Sequence, residues 1–157
     1  MVAASWHPET TVAIDNGRSM KLSKSRSLEL QPGEHKAVFS LSTPDYSSKR
    51  TVRLKLESGE QHTLRSPIQR PGLLTVQASL GSPQGLVAVD GNLVGNSPIQ
   101  GKKLSPGSHR LELYPLEGAT ASLATAQLDI RTSQETVVTF DLTGRQELSV
   151  RSRAANN

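Results

Sequence analysis

Cysteine is absent from this chain of 157 residues, which excludes disulfide bridges and thiolate metal sites. Aromatic residues are scarce, at 3% of the sequence, and only 34% of the residues are hydrophobic. Two small aliphatic cores are easier to fill with such residues than a single large core. No apolar run approaches the roughly 18 residues of a membrane-spanning helix. The segment Met1 to Pro8 lacks the basic and apolar regions of a signal peptide, so we expect no membrane span and no targeting signal in this chain.

Two blocks of the sequence recur in the same order, at a spacing of 74 or 75 residues. Five of the 13 positions from Ala3 to Asp15 are identical in the block that ends at Asp90. Four of the six positions of Leu30–His35 recur in Leu104–His109. We infer a tandem duplication.

Apolar and polar residues alternate within each repeat, which is typical of strands that bury one face. Val52, Leu54 and Leu56 alternate with outward-facing Arg53, Lys55 and Glu57. We therefore predict an all-β fold of two tandem β-sandwich-like modules, each with roughly six or seven short strands and almost no helix. In the first module, Leu64 and Ile68 are expected in its last strand. We expect modules at 1–68 and 72–144, a linker at 69–71, and a polar tail at 145–157 in which Leu148 and Val150 offer a short strand.

Turn residues separate the predicted strands. Asp15 and Asp90 occupy equivalent positions, where an aspartate accepts hydrogen bonds from amides two residues further on. His35 and His109 are equivalent too, and their simplest role is a ring packed over a Pro-Gly turn. The residues expected to shape turns are Asp15, Pro32, Gly33, His35, Pro83, Gly85, Asp90, Gly91, Gly95, Pro98, Pro106, Gly107 and His109.

The second repeat, from Gly72 to Leu142, resembles the PEGA domain, a β-rich module of bacterial and archaeal surface proteins. The residues that carry the resemblance are Pro83-Gln84-Gly85-Leu86, Val87 to Gly91, Gly95, Ser97-Pro98 and Leu104 to His109. Gln84 and Leu86 depart from the Glu and Ala that name the family. The first repeat is a degenerate copy, since Thr10 stands at the position of Gly85 and the Gly…Ser-Pro loop is lost.

The resemblance implies a non-catalytic, extracytoplasmic binding or spacer module, in the periplasm or at the cell surface, of a larger bacterial envelope-associated protein. One alternative is the extracytoplasmic sensor region of a Ser/Thr protein kinase, because PEGA domains also occur beside such kinases. Another is an accessory domain of an enzyme. Met1 aligns with Val76, in the middle of a strand, so we expect this chain to be a fragment.

No catalytic constellation is visible in the sequence. A Gly-x-Ser-x-Gly nucleophile elbow and a Gly-rich phosphate loop are both missing. His7 and His62 stand alone, without carboxylates at ligand spacing. We therefore expect no enzyme activity, no metal and no cofactor.

Net positive charge is confined to the first repeat. Residues 1–70 hold 11 Lys and Arg against 7 Asp and Glu, whereas residues 71–157 hold 7 of each. The expected partner is a protein or an anionic cell-wall glycan, bound weakly. Phosphate-bearing polymers and lipid headgroups are further candidate ligands of the basic loop, and a solvated loop is the alternative. Nucleic acid is not expected, because stacking aromatics are missing. The predicted anionic-ligand patch consists of Arg18, Lys21, Lys24 and Arg26, joined by Lys49 and Arg50 if their loop lies nearby.

Overall fold

The computed structural model describes residues 9–22, 28–116, 121–143 and 147–155, and these residues form strands and turns without a helix. The predicted all-β fold is confirmed. The chain divides into two compact units, Met1–Arg70 and Pro71–Asn157.

The first unit is built on one antiparallel sheet with the strand order β2-β1-β3-β4. Its two longest strands, of 11 residues each, form a hairpin at one side of the sheet. At the hairpin turn, the Thr43 hydroxyl donates to the Tyr46 carbonyl over 2.9 Å. The strands are β1 (Thr11–Ile14), β2 (Met20–Lys21), β3 (Gly33–Thr43) and β4 (Tyr46–Leu56).

One face of this sheet carries the core of the first unit. Phe39, in the middle of β3, lies opposite Val12 of β1, and both side chains are buried. Ile68 is buried in the same cluster, so the segment that follows β4 helps to cover the sheet. The buried hydrophobic residues of this cluster are Val12, Ala37, Phe39, Leu41 and Ile68.

The second unit contains two four-stranded sheets, ordered β10-β9-β6-β7 and β12-β11-β5-β8. Strands β5 and β11 pair in parallel, and every other pairing in this unit is antiparallel within the described residues. The strands are β5 (Gly72–Ala78), β6 (Gly85–Val89), β7 (Asn92–Asn96), β8 (Ile99–Leu104), β9 (Gly107–Pro115), β10 (Ala124–Ile130), β11 (Gln134–Asp141) and β12 (Glu147–Ala154).

Side chains from both sheets meet in one core, which makes the second unit a sandwich. Leu74 and Phe140 enter this core from one sheet, and Val87 and Leu128 enter it from the other. The full buried set is Leu74, Val76, Val87, Val89, Leu111, Leu113, Leu128, Ile130, Val138 and Phe140.

The sheet of the first unit has a counterpart in the second. Its order β2-β1-β3-β4 is reproduced by β7-β6-β9-β10. The Thr10 carbonyl accepts the Leu22 amide over 2.9 Å, and the Gly85 carbonyl accepts the Ser97 amide over 2.8 Å. The two repeats inferred from the sequence therefore share a strand order and equivalent loop hydrogen bonds.

The segment expected as a polar tail contributes strand β12, which pairs with β11 along its whole length. Leu148 lies opposite Phe140 and packs against the core. The Arg153 guanidinium donates to Glu135 over 2.7 Å, and the Thr75 hydroxyl donates to the other oxygen of Glu135 over 2.6 Å. Hydrogen bonding to Arg153 lowers the pKa of Glu135, and these bonds tie β12 to β11 and β5.

The expected strand at Leu64 and Ile68 is not formed, although both side chains pack in the first core. Pro67 and Pro71 lack the amide hydrogens that a strand in a sheet needs. The sequence predicted roughly six or seven strands for each module. In the described residues the first unit has four strands and the second has eight.

Candidate functional site

Asp15 and His35 form a hydrogen-bonded pair in the first unit. The Nδ1 atom of His35 lies 2.6 Å from Oδ2 of Asp15, and Nε2 lies 2.7 Å from the Gln31 carbonyl. The second carboxylate oxygen, Oδ1, accepts the Lys36 amide over 2.8 Å. The pair therefore joins the end of β1 to the start of β3 and closes the turn before β3.

Asp90 and His109 repeat this arrangement in the second unit. Their Nδ1–Oδ2 distance is again 2.6 Å, and Nε2 of His109 lies 2.7 Å from the Ser105 carbonyl. Oδ1 of Asp90 accepts the Arg110 amide over 2.8 Å. We call each of these two pairs, with its hydrogen bonds, an Asp–His clamp.

The local sequence places each aspartate where it can reach its histidine. Asp15 and Asp90 follow directly on β1 and β6, and both adopt the left-handed conformation, with φ of 48° and 51°. Aspartate tolerates this conformation better than most residues. In addition, each aspartate amide donates to the carbonyl of the residue after the histidine, over 2.9 Å for Asp15 and 2.8 Å for Asp90. Backbone and side chain together fix the carboxylate against the ring.

The first clamp needs a charged imidazole ring. Neither the Gln31 carbonyl nor an ionised Asp15 carboxylate has a proton to give, so both ring nitrogens of His35 must donate. The hydrogen bond to Asp15, followed by the bond to Gln31, raises the pKa of His35 above 6.5. The bonds from His35 and from the Lys36 amide lower the pKa of Asp15 below 3.8.

In the second clamp the main effect on the aspartate comes from the backbone. The Arg110 amide, followed by His109, lowers the pKa of Asp90 below 3.8. Both histidine side chains are only 11% exposed, whereas the aspartates are about half exposed. The rings are thus held against the turn, and their nitrogens are directed at protein acceptors.

Sequence reasoning singled out all four clamp residues but assigned them separate roles. The sequence suggested that each aspartate carboxylate accepts hydrogen bonds from amides two residues further on. In the structure it instead accepts the amide of Lys36 or of Arg110, about 20 residues along the chain. The histidine rings form hydrogen bonds at both nitrogens, a role beyond packing over a turn. The available signal was that Asp and His recur together in both repeats.

The remaining predicted turn residues lie at the ends of strands. Gly33 and Gly107 begin β3 and β9 with φ of 142° and 129°, which favours glycine over residues with a side chain. Pro32 and Pro106 precede them. Gly91 and Gly95 also have positive φ, the Ser97–Pro98 peptide is cis, and Pro83 lies just before Gly85 at the start of β6.

The predicted anionic-ligand patch is only partly described. Arg18 lines an open depression of about 530 Å³, together with Ile14, Gly17, Ser19, Met20 and Leu28. Lys21 lies on β2, and its ammonium group is 3.0 Å from Glu9. Lys24 and Arg26 lie outside the described residues.

Lys49 and Arg50, considered as additions to that patch, are neighbours on β4 rather than part of a loop. Lys49 is exposed on the side of the sheet away from the core. Across the sheet, Lys49 pairs with Ser40, Ser40 pairs with Thr11, and Thr11 pairs with Lys21. Arg50 lies opposite Phe39, and its side chain donates to the Lys49 carbonyl over 3.2 Å. One predicted cation, Lys21, therefore shares a row and a face with Lys49.

Within the described ranges, no three His, Asp or Glu residues lie together as a metal-ligand group. The same ranges contain no helix that is long and apolar enough to cross a membrane. No protein-family model, no curated protein and no solved structure matches this chain.

The Asp–His clamp gives a first testable expectation. The stability supplied by His35 is present below pH 6.5 and is lost as the pH rises through its raised folded-state pKa. The stability supplied by Asp15 is present above pH 3.8 and is lost as the pH falls through its lowered folded-state pKa. We therefore expect the first unit to be most stable between these two limits.

The substitution His35→Gln should lower the melting temperature of the first unit at pH 5.5 and have much less effect above pH 9. The amide signal of Lys36 in NMR spectra recorded over a pH and temperature series reports on this unit. His62→Gln is the matched control, because His62 is half exposed and 4.0 Å from Glu60. Equal destabilisation by His35→Gln at both pH values would show that ring charge is not involved.

Proposed function

We propose that this chain is a non-catalytic binding module of a larger bacterial envelope-associated protein, displayed in the periplasm or at the cell surface. The observation that carries this proposal is the duplicated Asp–His clamp. A catalytic Asp–His pair needs a histidine nitrogen free to take a proton from a substrate or nucleophile. In both clamps, the second ring nitrogen is instead 2.7 Å from a backbone carbonyl of its own turn.

The clamps support a structural use of these residues for a second reason. Their geometry is nearly the same in two units whose surrounding surfaces differ in charge. Because the clamp closes the equivalent turn in each unit, a structural role explains why Asp and His recur together, and no catalytic role is needed. Ligand binding is then left to the exposed faces of the sheets.

The path of the chain through the second unit favours binding over a spacer role. Leu73, near the start of β5, and Arg153, near the end of β12, both lie opposite Glu135, on its two sides. Two interstrand spacings separate them, which is about 10 Å. The start of β5 and the end of β12 therefore lie at the same end of this sheet. A unit built in this way adds little length between the segments on either side of it, as expected of a module that presents a binding surface rather than of a spacer.

The experiment is sedimentation of the full chain with bacterial cell-wall sacculi, prepared with and without their covalently attached anionic polymers. We expect the protein to sediment with intact sacculi and to release no soluble fragments during prolonged incubation. Release of fragments would show that the chain is an enzyme. Failure to sediment with either preparation would contradict the binding role.

A further inference from the structure

Exposed cations share the outer side of the β3–β4 hairpin in the first unit. Successive side chains of a strand point to opposite faces, and Phe39 and Val52 define the core side of this hairpin. At the outward positions of these two fully described strands, only Glu34 is acidic. The basic residues at these positions, all exposed and here called the basic face, are Lys36, Lys49, Arg53 and Lys55.

The basic face brings like charges close together. Lys36 lies directly opposite Arg53 in the register of the two strands. Side chains in this relation have their β carbons about 5 Å apart, and two like charges there repel each other. Lys55 is two residues beyond Arg53, about 7 Å along the strand.

These cations have no salt-bridge partner among the residues that the structure describes. Within the described part of the chain, none of the four basic-face side chains takes part in an ion pair. Lys21, at the far edge of the sheet, differs because it is paired with Glu9. Glu34 lies directly opposite Lys55 and offsets part of the charge there, whereas Lys36 and Arg53 face each other without an ion pair among the described residues.

The equivalent sheet of the second unit shows that this fold does not need the cations. Arg110 stands where the first unit has Lys36, and it is 3.1 Å from Glu112. Gln127 and Asp129 replace Arg53 and Lys55. The same strand order thus carries a paired Arg110 at this position in one unit and a facing Lys36–Arg53 pair of like charges in the other.

We propose that the basic face of the first unit binds a linear anionic glycan, with its charged groups lying along the β3–β4 hairpin. This inference rests on the proposed binding function and adds to it the surface and the chemistry of the ligand. Regularly spaced carboxylate or phosphate groups on the polymer would relieve the repulsion between Lys36 and Arg53. The hydroxyl groups of Ser40 and Thr51, which lie between the cations on the same face, suit a ligand rich in hydroxyl groups.

Other polyanions fit this face less well. Single-stranded nucleic acid binding uses aromatic side chains for stacking, and the outward positions of β3 and β4 hold none. Binding to an anionic membrane is strengthened by large apolar side chains that enter the lipid, and the same positions offer only Val38 as an apolar group. A hydrated acidic polysaccharide requires neither feature.

The test is affinity electrophoresis of the full chain in gels that contain polygalacturonate, with dextran as the uncharged probe. We expect retardation by polygalacturonate alone, and its loss at high salt, since exposed charges are screened. The double variant Lys36→Gln/Arg53→Gln should bind about tenfold more weakly, because each exposed contact contributes roughly threefold. The control Arg65→Gln/Arg70→Gln removes the same charge from exposed positions outside the sheet and should change affinity by less than about twofold.

The second unit allows the converse experiment. Gln127→Arg/Asp129→Lys copies the basic residues of the first unit onto the equivalent sheet, and we expect it to strengthen retardation. Equal weakening by both double neutralisations would show a general charge effect and would overturn the basic face as a site. Retardation by dextran, or tighter binding to duplex DNA or to phosphatidylglycerol vesicles, would overturn the glycan as its ligand.

These outcomes separate the two proposals. Sedimentation with sacculi that is unchanged in Lys36→Gln/Arg53→Gln would refute the basic face and leave the binding function standing. Absence of sedimentation by the unmodified chain would refute the binding function itself.

Discussion

Replacing Phe39 by alanine is expected to unfold most of the first unit. The Phe39 side chain is 1% exposed and is the largest of the five buried hydrophobic residues in that core. Removing a buried phenylalanine ring typically costs about 3–5 kcal/mol, from lost burial and from the cavity left behind. A unit of this size is stabilised by only about 4–10 kcal/mol in total. The variant should therefore lose much or all of the free energy of unfolding of the first unit.

Hydrogen exchange followed by mass spectrometry measures this effect on the peptides of β3 and β4. We expect their amides to lose protection in Phe39→Ala and to keep it in Leu28→Ala. Leu28 is half exposed, so its truncation should change stability by no more than about 0.5 kcal/mol. Full protection of β3 and β4 in Phe39→Ala would mean that the cluster around Phe39 is not what stabilises this sheet.

The second large effect is expected at Gly72, the first residue of β5. A β carbon at this position would lie 2.5 Å from the Arg131 carbonyl oxygen and 2.5 Å from Cγ2 of the buried Ile130. The backbone oxygen cannot move without disturbing the end of β10. We expect Gly72→Ala to destabilise the second unit by roughly 2–3 kcal/mol, as overpacking in a core does.

Urea unfolding followed by the NMR signals of β5 and β11 gives the free energy for this unit. Gln77→Ala is the matched control, because Gln77 is exposed on the same strand and its truncation should change stability by about 0.5 kcal/mol. Substituting alanine for glycine at an unobstructed strand position stabilises a protein by roughly 0.4–1 kcal/mol. A gain of that size in Gly72→Ala would show that the close approach of β5 to β10 is absent.

Local patterns in the sequence were sufficient for the fold class. The alternation of Val52, Leu54 and Leu56 with charged residues predicts a strand with one apolar face, and β4 contains these three apolar residues. The recurrence of Asp15 and His35 as Asp90 and His109 predicts two related units. These features are visible because they depend on neighbours in the chain or on copies of the same residues.

The clamp could not be derived in this way. Asp15 and His35 meet because β1 pairs with β3, and the register of that pairing depends on which residues the sheet buries. The short strand expected at Leu148 and Val150 is confirmed as β12, but its length and its partner were not visible in the sequence, for a related reason. Leu148 and Val150 gain partners only when β11 lies beside them, and the alternation in so short a segment is weak by itself.

The sequence by itself determined that this protein is all-β, that it is duplicated, and that its excess positive charge belongs to the first repeat. Only the tertiary structure decided where that charge is concentrated among the described residues. Lys36 and Arg53 are far apart in the chain and become neighbours through the register of the β3–β4 hairpin. Composition and spacing report what a segment contains, whereas the meeting of two distant side chains depends on strand pairing, which the burial of the whole sheet selects.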